Sequence, residues 1–593
     1  MTVTKSLAVA MLALGANIAS AQETSLFWGD THVHTSWSVD AYSVMNHFTG
    51  PEEAYRYARG IPVLHTRLKT KVKIKRPLDF MVVGDHAENY RRQVNILDGI
   101  PQLRNHAGYP QALEFMKWPR TMGPMEGVDP DFVARLDSKE VLSYGWGLAV
   151  DIAERNYIPG AFTTFVGWEW TRNPGGNQHR IIFTDAGPDR TKQFMPYSTN
   201  DGPDPEDLWN FLDSTAQQLD IDFVSMPHNS NLSNGTMFAL TDSEGRPLDA
   251  AYARTRARWE PVMEITQVKG TSEVHPQQSP DDEFADFEIH TDLLIGGQAT
   301  VATAKGDYAR YALLNGLSLD ATLGTNPFKL GIIGSSDSHT GLATVEEDDF
   351  GGKTVRDILP GERAENGLDT LFHAWEMSAS GIAAVWAEEN TRESIFAAFK
   401  RKETYGTSGT RISLRVFGGF DFSERDARGD LTAAGYRKGV PMGGDLAGAG
   451  RNDKAGFLIQ AMKDPIGANL DRVQVIKGWL DAEGQQHEKV FDVLWAGERQ
   501  PGADGKLPAI GNTVDTGTAL YDNSIGAAQL VGYWQDPEFD PAQRAFYYVR
   551  VLEIPTPRHS TYDTVALGID VASTQQAATI QERAWSSPIW YTP

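Results

Sequence analysis

Six of the fourteen histidines in this chain stand at the ends of short apolar runs. The runs are LFWGDTHVHTSWSVD (Leu26 to Asp40), LDFMVVGDHAE (Leu78 to Glu88), FTTFVGWEW continued by NQHR (Phe162 to Arg180), DFVSMPHNS (Asp222 to Ser230) and KLGIIGSSDSH (Lys329 to His339). Each reads as a buried β-strand that ends in a polar turn. Barrels of parallel strands gather their strand ends on one face, so side chains remote in sequence meet there. The recurrence predicts that these histidines converge on one polynuclear metal site.

The rest of the sequence limits what that site can be. With no cysteine, only His, Asp and Glu remain as ligands, so the site is of nitrogen and oxygen type. The formal charge is −24; a surface that acidic repels a phosphate backbone, and nucleic acid is not an expected partner. A small anionic substrate fits if the pocket is locally positive. Residues 1–21 read as a signal peptide: Lys5 opens it, Leu7 to Ala19 is an apolar core too short to cross a bilayer, and Ala19-Ser20-Ala21 suits cleavage. The mature chain is therefore expected to begin at Gln22 and to be periplasmic or secreted, without a transmembrane anchor.

At 593 residues, two domains are expected. Residues 22–405 alternate strand-like runs with helical stretches such as Pro51 to Arg59 and Glu206 to Leu219, an α/β pattern, with insertions near 101–157 and 236–328. The first insertion, which carries a helical stretch from Lys139 to Arg155, either roofs the pocket or packs outside the barrel. Residues 406–593 change character: Arg411 to Phe417 alternates, Val473 to Gly484 with Glu488 to Ala496 reads as a hairpin, and Ala545 to Ile554 is another strand. That pattern predicts a β-sandwich-like C-terminal domain.

In His32-Val33-His34 the two imidazoles lie on one face of a strand and can grip one ion, with Asp40 in reach after a short turn. Gly84-Asp85-His86 adds an imidazole, with Asp85 able to orient it. Glu169, between Trp168 and Trp170, is costly to bury unless paired, and bridging two cations would compensate. His179 ends a glycine-rich turn, His228 follows Pro227, and Asp337-Ser338-His339 supplies a carboxylate and an imidazole at period two. Each alone could be an ordinary core histidine or salt-bridged acid; their common placement at successive strand ends favours the metal reading. Arg172, Arg180, Lys269 and Arg411 are candidates to hold an anionic substrate, with Glu264 and Glu273 near the same rim. His65, His106, His290 and His373 fall outside the pattern. The basic stretch HTRLKTKVKIKR (His65 to Arg76) reads as a lysine-protected edge hairpin, the alternative being an anion-attracting patch.

The series HVH with Asp40, GDH, GWEW, NQHR, MPHN and SSDSH resembles the polymerase and histidinol phosphatase (PHP) superfamily of metal-dependent phosphoesterases. The match covers about Leu26 to Arg411, and PMGGDL, KDPIGANLDRVQVIKGWLD and RAWSSPIWY further resemble a bacterial branch described only as a domain of unknown function. The resemblance implies a distorted (β/α)7 barrel holding three divalent metal ions (zinc, manganese or iron). His32, His34, Glu169 and Asp337 would hold the first, Glu169 as a bridge with His179 and His228 the second, and Asp40, His86 and His339 the third. Glu169, Asp337 and His228 are the residues expected closest to the chemistry. Asp40 stands where some trinuclear relatives have histidine; an oxygen ligand there makes manganese or iron more competitive with zinc. The expected activity is hydrolysis of small phosphate mono- or diesters. A metallohydrolase of an amide, lactone or sulfate ester, and a structural-metal protein of the cell envelope, are the alternatives.

Overall fold

The computed structural model describes residues 24–65, 67–117, 125–173, 175–290, 292–295, 298–301, 304–365, 374–503 and 505–593. Residues 1–21, read above as a signal peptide, and His373 lie outside them. In the N-terminal part the strands that matter for the site are β1 (Ser25–Val33), β2 (Val63–His65), β3 (Thr70–Val72), β4 (Phe80–Val83), β5 (Thr163–Trp170), β6 (His179–Thr184), β7 (Val224–His228), β8 (Val262–Gln267), β9 (Gly331–Gly334), β10 (Ile382–Ala387) and β11 (Thr404–Thr407). Strands β4, β5, β6, β7 and β8 are buried along their whole length, which is why they read as apolar runs rather than as alternating ones.

Strands β1, β4 and β5 are parallel neighbours, as the βα pattern predicts. The pattern then breaks: β5, β6 and β7 form an antiparallel meander, and β8 pairs in parallel with β9 in a separate small sheet. Of the expected distorted (β/α)7 barrel, the structure bears out a mixed α/β arrangement of large sheets, without a closed barrel among the described residues. The reason lies in β11. One of its edges pairs antiparallel with β10, which in turn pairs with β1; the other pairs with a strand from the far C-terminal end, Arg583–Ser586. No edge of β11 is left to take up β9, although the two strands pack closely. Glycine permits that approach, because a Cβ on Gly406 would lie 2.6 Å from the carbonyl carbon of Ile333.

The C-terminal part supplies β12 (Ser413–Gly419), β13 (Gly456–Met462), β14 (Leu470–Leu480), β15 (Gln486–Trp495), β16 (Gln529–Gln535), β17 (Ala545–Glu553), β18 (Arg583–Ser586) and β19 (Ile589–Thr592). Strands β14 and β15 form the hairpin read from the sequence, and β17 pairs with β14, β18 and β19. Through β18 this antiparallel array continues the N-terminal sheet without interruption. Strands β12, β13 and β16 form a second antiparallel sheet, and Leu414, Val416, Phe457 and Ile459 pack in one apolar cluster with Val473, Val475 and Val549 of the large sheet.

Helix α1 (Pro51–Ala58) begins at a proline, and α2 (Lys139–Asn156) is capped by Ser138, whose hydroxyl accepts the Val141 N–H. Helix α2 packs on α1 and β5, with Trp146 edge-on to Trp168 at 5.9 Å. Trp168 alternates with Glu169, so this helix covers the face of β5 that Glu169 does not use. Strands β2 and β3 form a short hairpin. Basic residues of its loop and its continuation meet acidic partners, Arg67 with Glu362, Lys75 with Asp348 at 2.5 Å and Arg76 with Glu346 at 3.3 Å. Among the described residues no helix is long and apolar enough to cross a membrane.

Candidate metal centre

Strand β1 delivers His32 and His34 to the centre, and two hydrogen bonds fix which nitrogen of each ring faces it. His32 Nδ1 lies 3.0 Å from Glu264 Oε2, so it donates outward. Ser38 Oγ donates to Asp40 Oδ1 at 2.8 Å and is 3.0 Å from His34 Nδ1, so the hydroxyl oxygen accepts the Nδ1 proton. The remaining Nε2 atoms carry lone pairs and stand 3.1 Å apart. Thr35 locks the turn that follows them by donating its N–H and hydroxyl to Asp85 at 2.6 and 2.7 Å. Asp85 thus holds the backbone of the first motif instead of orienting His86. The DSH segment closes on the same strand through Asp337 N–H to His32 O (2.8 Å) and His34 N–H to Ser338 O (2.9 Å).

Glu169 reaches both sides of the centre. Its Oε1 is 2.9 Å from His179 Nδ1 and 3.1 Å from His228 Nε2; its Oε2 is 3.1 Å from His34 Nε2 and 3.6 Å from His86 Nδ1. Asp337 Oδ1 lies 3.4 Å from His34 Nε2 and 3.5 Å from His32 Nε2. Asp40 Oδ2 is 3.0 Å from His86 Nε2 and 2.5 Å from His339 Nε2. The structure therefore brings together all nine residues of the sequence-derived set. His32/Glu169/His228, His32/His34/Asp337, His34/His86/Glu169 and His34/Asp40/His339 each offer ligand atoms within 4.8 Å of one another.

The chemistry of this donor set calls for cations. Two imidazole lone pairs 3.1 Å apart repel unless positive charge lies between them. The electrostatics agree: burial alone would lower the pKa values of His32 and His34, but the carboxylates around them outweigh it and raise both, so the centre favours positive charge at these nitrogens, supplied by protons where no cation is bound. Burial opposes the charged forms of Glu169 and Asp337, yet His86 and His228 hold the first, and Lys269 and Lys353 the second, well below the usual carboxylate range. Asp337 adopts φ 53° and Asn229, next to His228, also φ 53°. Left-handed backbone at two positions of the centre is the kind of local strain that functional sites retain.

The candidate substrate residues divide. Lys269 reaches the centre, its Nζ in contact with Asp337 Oδ2. Arg172 lies just beyond β5, but its guanidinium ties the following loop together, donating to Gln178 Oε1 (2.9 Å) and Asp204 Oδ1 (3.0 Å). Arg180 is corrected: it alternates with His179 on β6, so it points to the opposite face, where it pairs with buried Glu260 at 2.7 Å. Arg411 is corrected too. It donates to the backbone carbonyls of Arg76 and Pro77, before the start of β4, whereas His86 follows the end of that strand. Glu273 does not line a rim: it is buried among Arg310, Arg550, Tyr548 and Trp585. Glu264, placed at that rim from sequence, instead anchors His32.

Two members of the site carried no readable signal. Ser38 sits in a Ser/Thr-rich turn where nothing marks one hydroxyl over another. Lys353 follows His339 by a long loop and places Nζ 3.1 Å from His339 Nδ1 and 3.4 Å from Asp337 Oδ1; burial pushes its pKa down to about 8. Only the Gly351-Gly352 pair before it suggests a turn.

Fold and site together define a mixed α/β protein with a buried cluster of imidazoles and carboxylates able to hold metal ions. The chain belongs to the DUF3604 family, described as a protein of unknown function, whose model matches residues 21–593. No curated protein matches it. Among solved structures, a two-domain protein from Bacteroides vulgatus containing a predicted PHP-like metal-dependent phosphoesterase is similar over 86% of this chain and 95% of that chain, at 10% identity and a TM-score of 0.28.

Proposed function

We propose that this protein is an exported metal-dependent phosphoesterase of the PHP type, acting on small organophosphates. The observation that carries the reading is the inward convergence of the His32 and His34 Nε2 lone pairs on Glu169 and Asp337. His32, His34, Glu169 and Asp337 would hold one ion, Glu169 with His179 and His228 a second, and Asp40 with His86 and His339 a third. Bound divalent cations acidify water to hydroxide near neutral pH and stabilise charge on phosphoryl oxygens. Around them the protein's own groups do the positioning: Glu264 and Ser38 fix the two imidazole tautomers. Glu169 spans both halves, and Lys269 adds positive charge beside Asp337. His32, His228 and Glu264 are sealed from solvent, so charges at the centre act in a low-dielectric setting where they count for more.

Elemental mass spectrometry of the purified protein tests the reading. About three divalent ions per chain, with hydrolysis of a panel of phosphate esters that disappears in His32→Ala and Glu169→Ala, is the expected result. One ion or none after gentle purification, or full activity in those variants, overturns it. The export element rests on Ala19-Ser20-Ala21; an N-terminus at Gln22 in periplasmic or secreted protein is its check.

A further inference from the structure

The centre meets solvent at its rim, where His86 and His179 are each 10% exposed. The side chains of His32, His34, Glu169, His228 and Asp337 are at most 1% exposed, whereas Asp40 is 27%, Lys353 12% and Lys269 11% exposed. Two ammonium groups thus stand at the opening, and both lean on one carboxylate. Lys269 Nζ contacts Asp337 Oδ2; Lys353 Nζ lies 3.4 Å from Asp337 Oδ1 and 3.3 Å from the Asp337 carbonyl oxygen. Glu169 and Asp40 add negative charge within reach of Lys269, and Asp40 within reach of Lys353, so the two ammonium groups are matched only as long as these carboxylates serve nothing else. With divalent ions drawing on the same carboxylates, two largely buried ammonium groups would keep little of that negative charge, and this corner then favours an anion.

We propose that Lys269 and Lys353 form an oxyanion cradle that selects terminal phosphomonoesters over phosphodiesters, an inference that rests on the phosphoesterase reading. A phosphomonoester is close to a dianion at neutral pH, its second pKa being about 6, and offers three terminal oxygens. One can face the lysine pair while the other two face the imidazole cluster, and the single organic substituent leaves through the Asp40 side. A diester carries one charge, has two terminal oxygens and must accommodate a second substituent. The inner ligand side chains are at most 1% exposed, so a second substituent would have to leave by the same Asp40 side as the first. Lysine suits the task as a point charge that binds phosphate without demanding a planar partner.

The test is titration calorimetry of the metal-loaded protein with inorganic phosphate, alongside kcat/KM for a monoester and a diester of the same alcohol. Lys353→Met is expected to weaken phosphate binding at least tenfold and to lower the monoester-to-diester ratio at least tenfold. Metal content should not change, and Lys353→Arg should recover most of the affinity. Lys269→Met should act in the same direction; if it fails to fold, Lys353→Met decides alone. Unchanged phosphate affinity and an unchanged ratio in Lys353→Met would overturn the cradle while leaving a phosphoesterase intact. Phosphate binding that depends on the lysines, in a protein that cleaves no phosphate ester, would instead sink the proposed function and keep the cradle. Wild-type protein that neither binds phosphate nor cleaves any phosphate ester would sink both.

Discussion

Ser38 does two things with one hydroxyl. Its proton goes to Asp40 and its lone pair takes the proton of His34 Nδ1, so it sets both a tautomer and a carboxylate orientation. Such supporting hydrogen bonds typically account for 10–100-fold in metal affinity. Ser38→Ala is therefore expected to weaken metal binding by about that factor with little change in melting temperature, measured by competition with a chelator. Glu264→Gln should do the same through His32. At this scale much of the site was legible. His32, His34, His86, His179, His228 and His339 end apolar runs, and that placement is visible in one dimension. Ser38 and Lys353 were not marked, and Glu264 was marked for the rim rather than for His32, because a hydrogen bond from a neighbouring strand or a lysine on a long loop leaves no period behind. Arg180 misled for a simple reason: it adjoins a ligand in sequence, and adjacency on a strand means the opposite face.

The strands themselves were readable, since full burial makes them continuous apolar runs, but their order was not. Nothing in TYGT says that Thr404–Thr407 has Arg583–Ser586 for a partner, or that β9 is left to pack beside it without a ladder. That packing depends on Gly406, whose added Cβ would sit 2.6 Å from backbone of Ile333. Backbone cannot move aside as a flexible side chain can, so Gly406→Ala should cost about 1–3 kcal/mol. Because β9 leads into Asp337 and His339, the same variant should also loosen metal binding. Chemical denaturation and metal titration on one preparation check both; a variant as stable as wild type would show that the two strands have slack between them.

Across the whole molecule, the N- and C-terminal parts share charges as well as a sheet. Arg550 on β17 binds Asp282 at 2.7 Å and Glu273 at 3.1 Å, and Arg310 on the helix Ala309–Leu323 binds the same two acids. All four are buried. Breaking such a group by removing one partner strands the others, at about 3–5 kcal/mol; Arg550→Met should lose that much in denaturant unfolding, with the Lys269 loop among the first regions to exchange its amide protons. A second whole-molecule property is pH dependence. Burial lifts the Glu553 carboxyl from 4.5 up to about 8. Between roughly pH 5 and 8 the folded protein therefore keeps a proton that the unfolded chain has released, and stability falls as pH rises through that window. Glu553→Gln should flatten this part of the curve and melt higher than wild type at pH 8.5, as differential scanning calorimetry at pH 5.5 and 8.5 would show. An identical slope in the variant would assign the dependence to other groups.

The pairing of Tyr405 with Ser586 across β11 and β18 also sets a timetable. A nascent chain that has produced every imidazole and carboxylate of the centre still presents β11 with one naked edge, and bare strand edges recruit wrong partners. That edge stays open until Arg583–Ser586 is available to pair with it. Removing Arg583–Ser586 would strip one edge from the strand that packs against β9, so damage near one end of the sequence reaches the candidate centre built by the other.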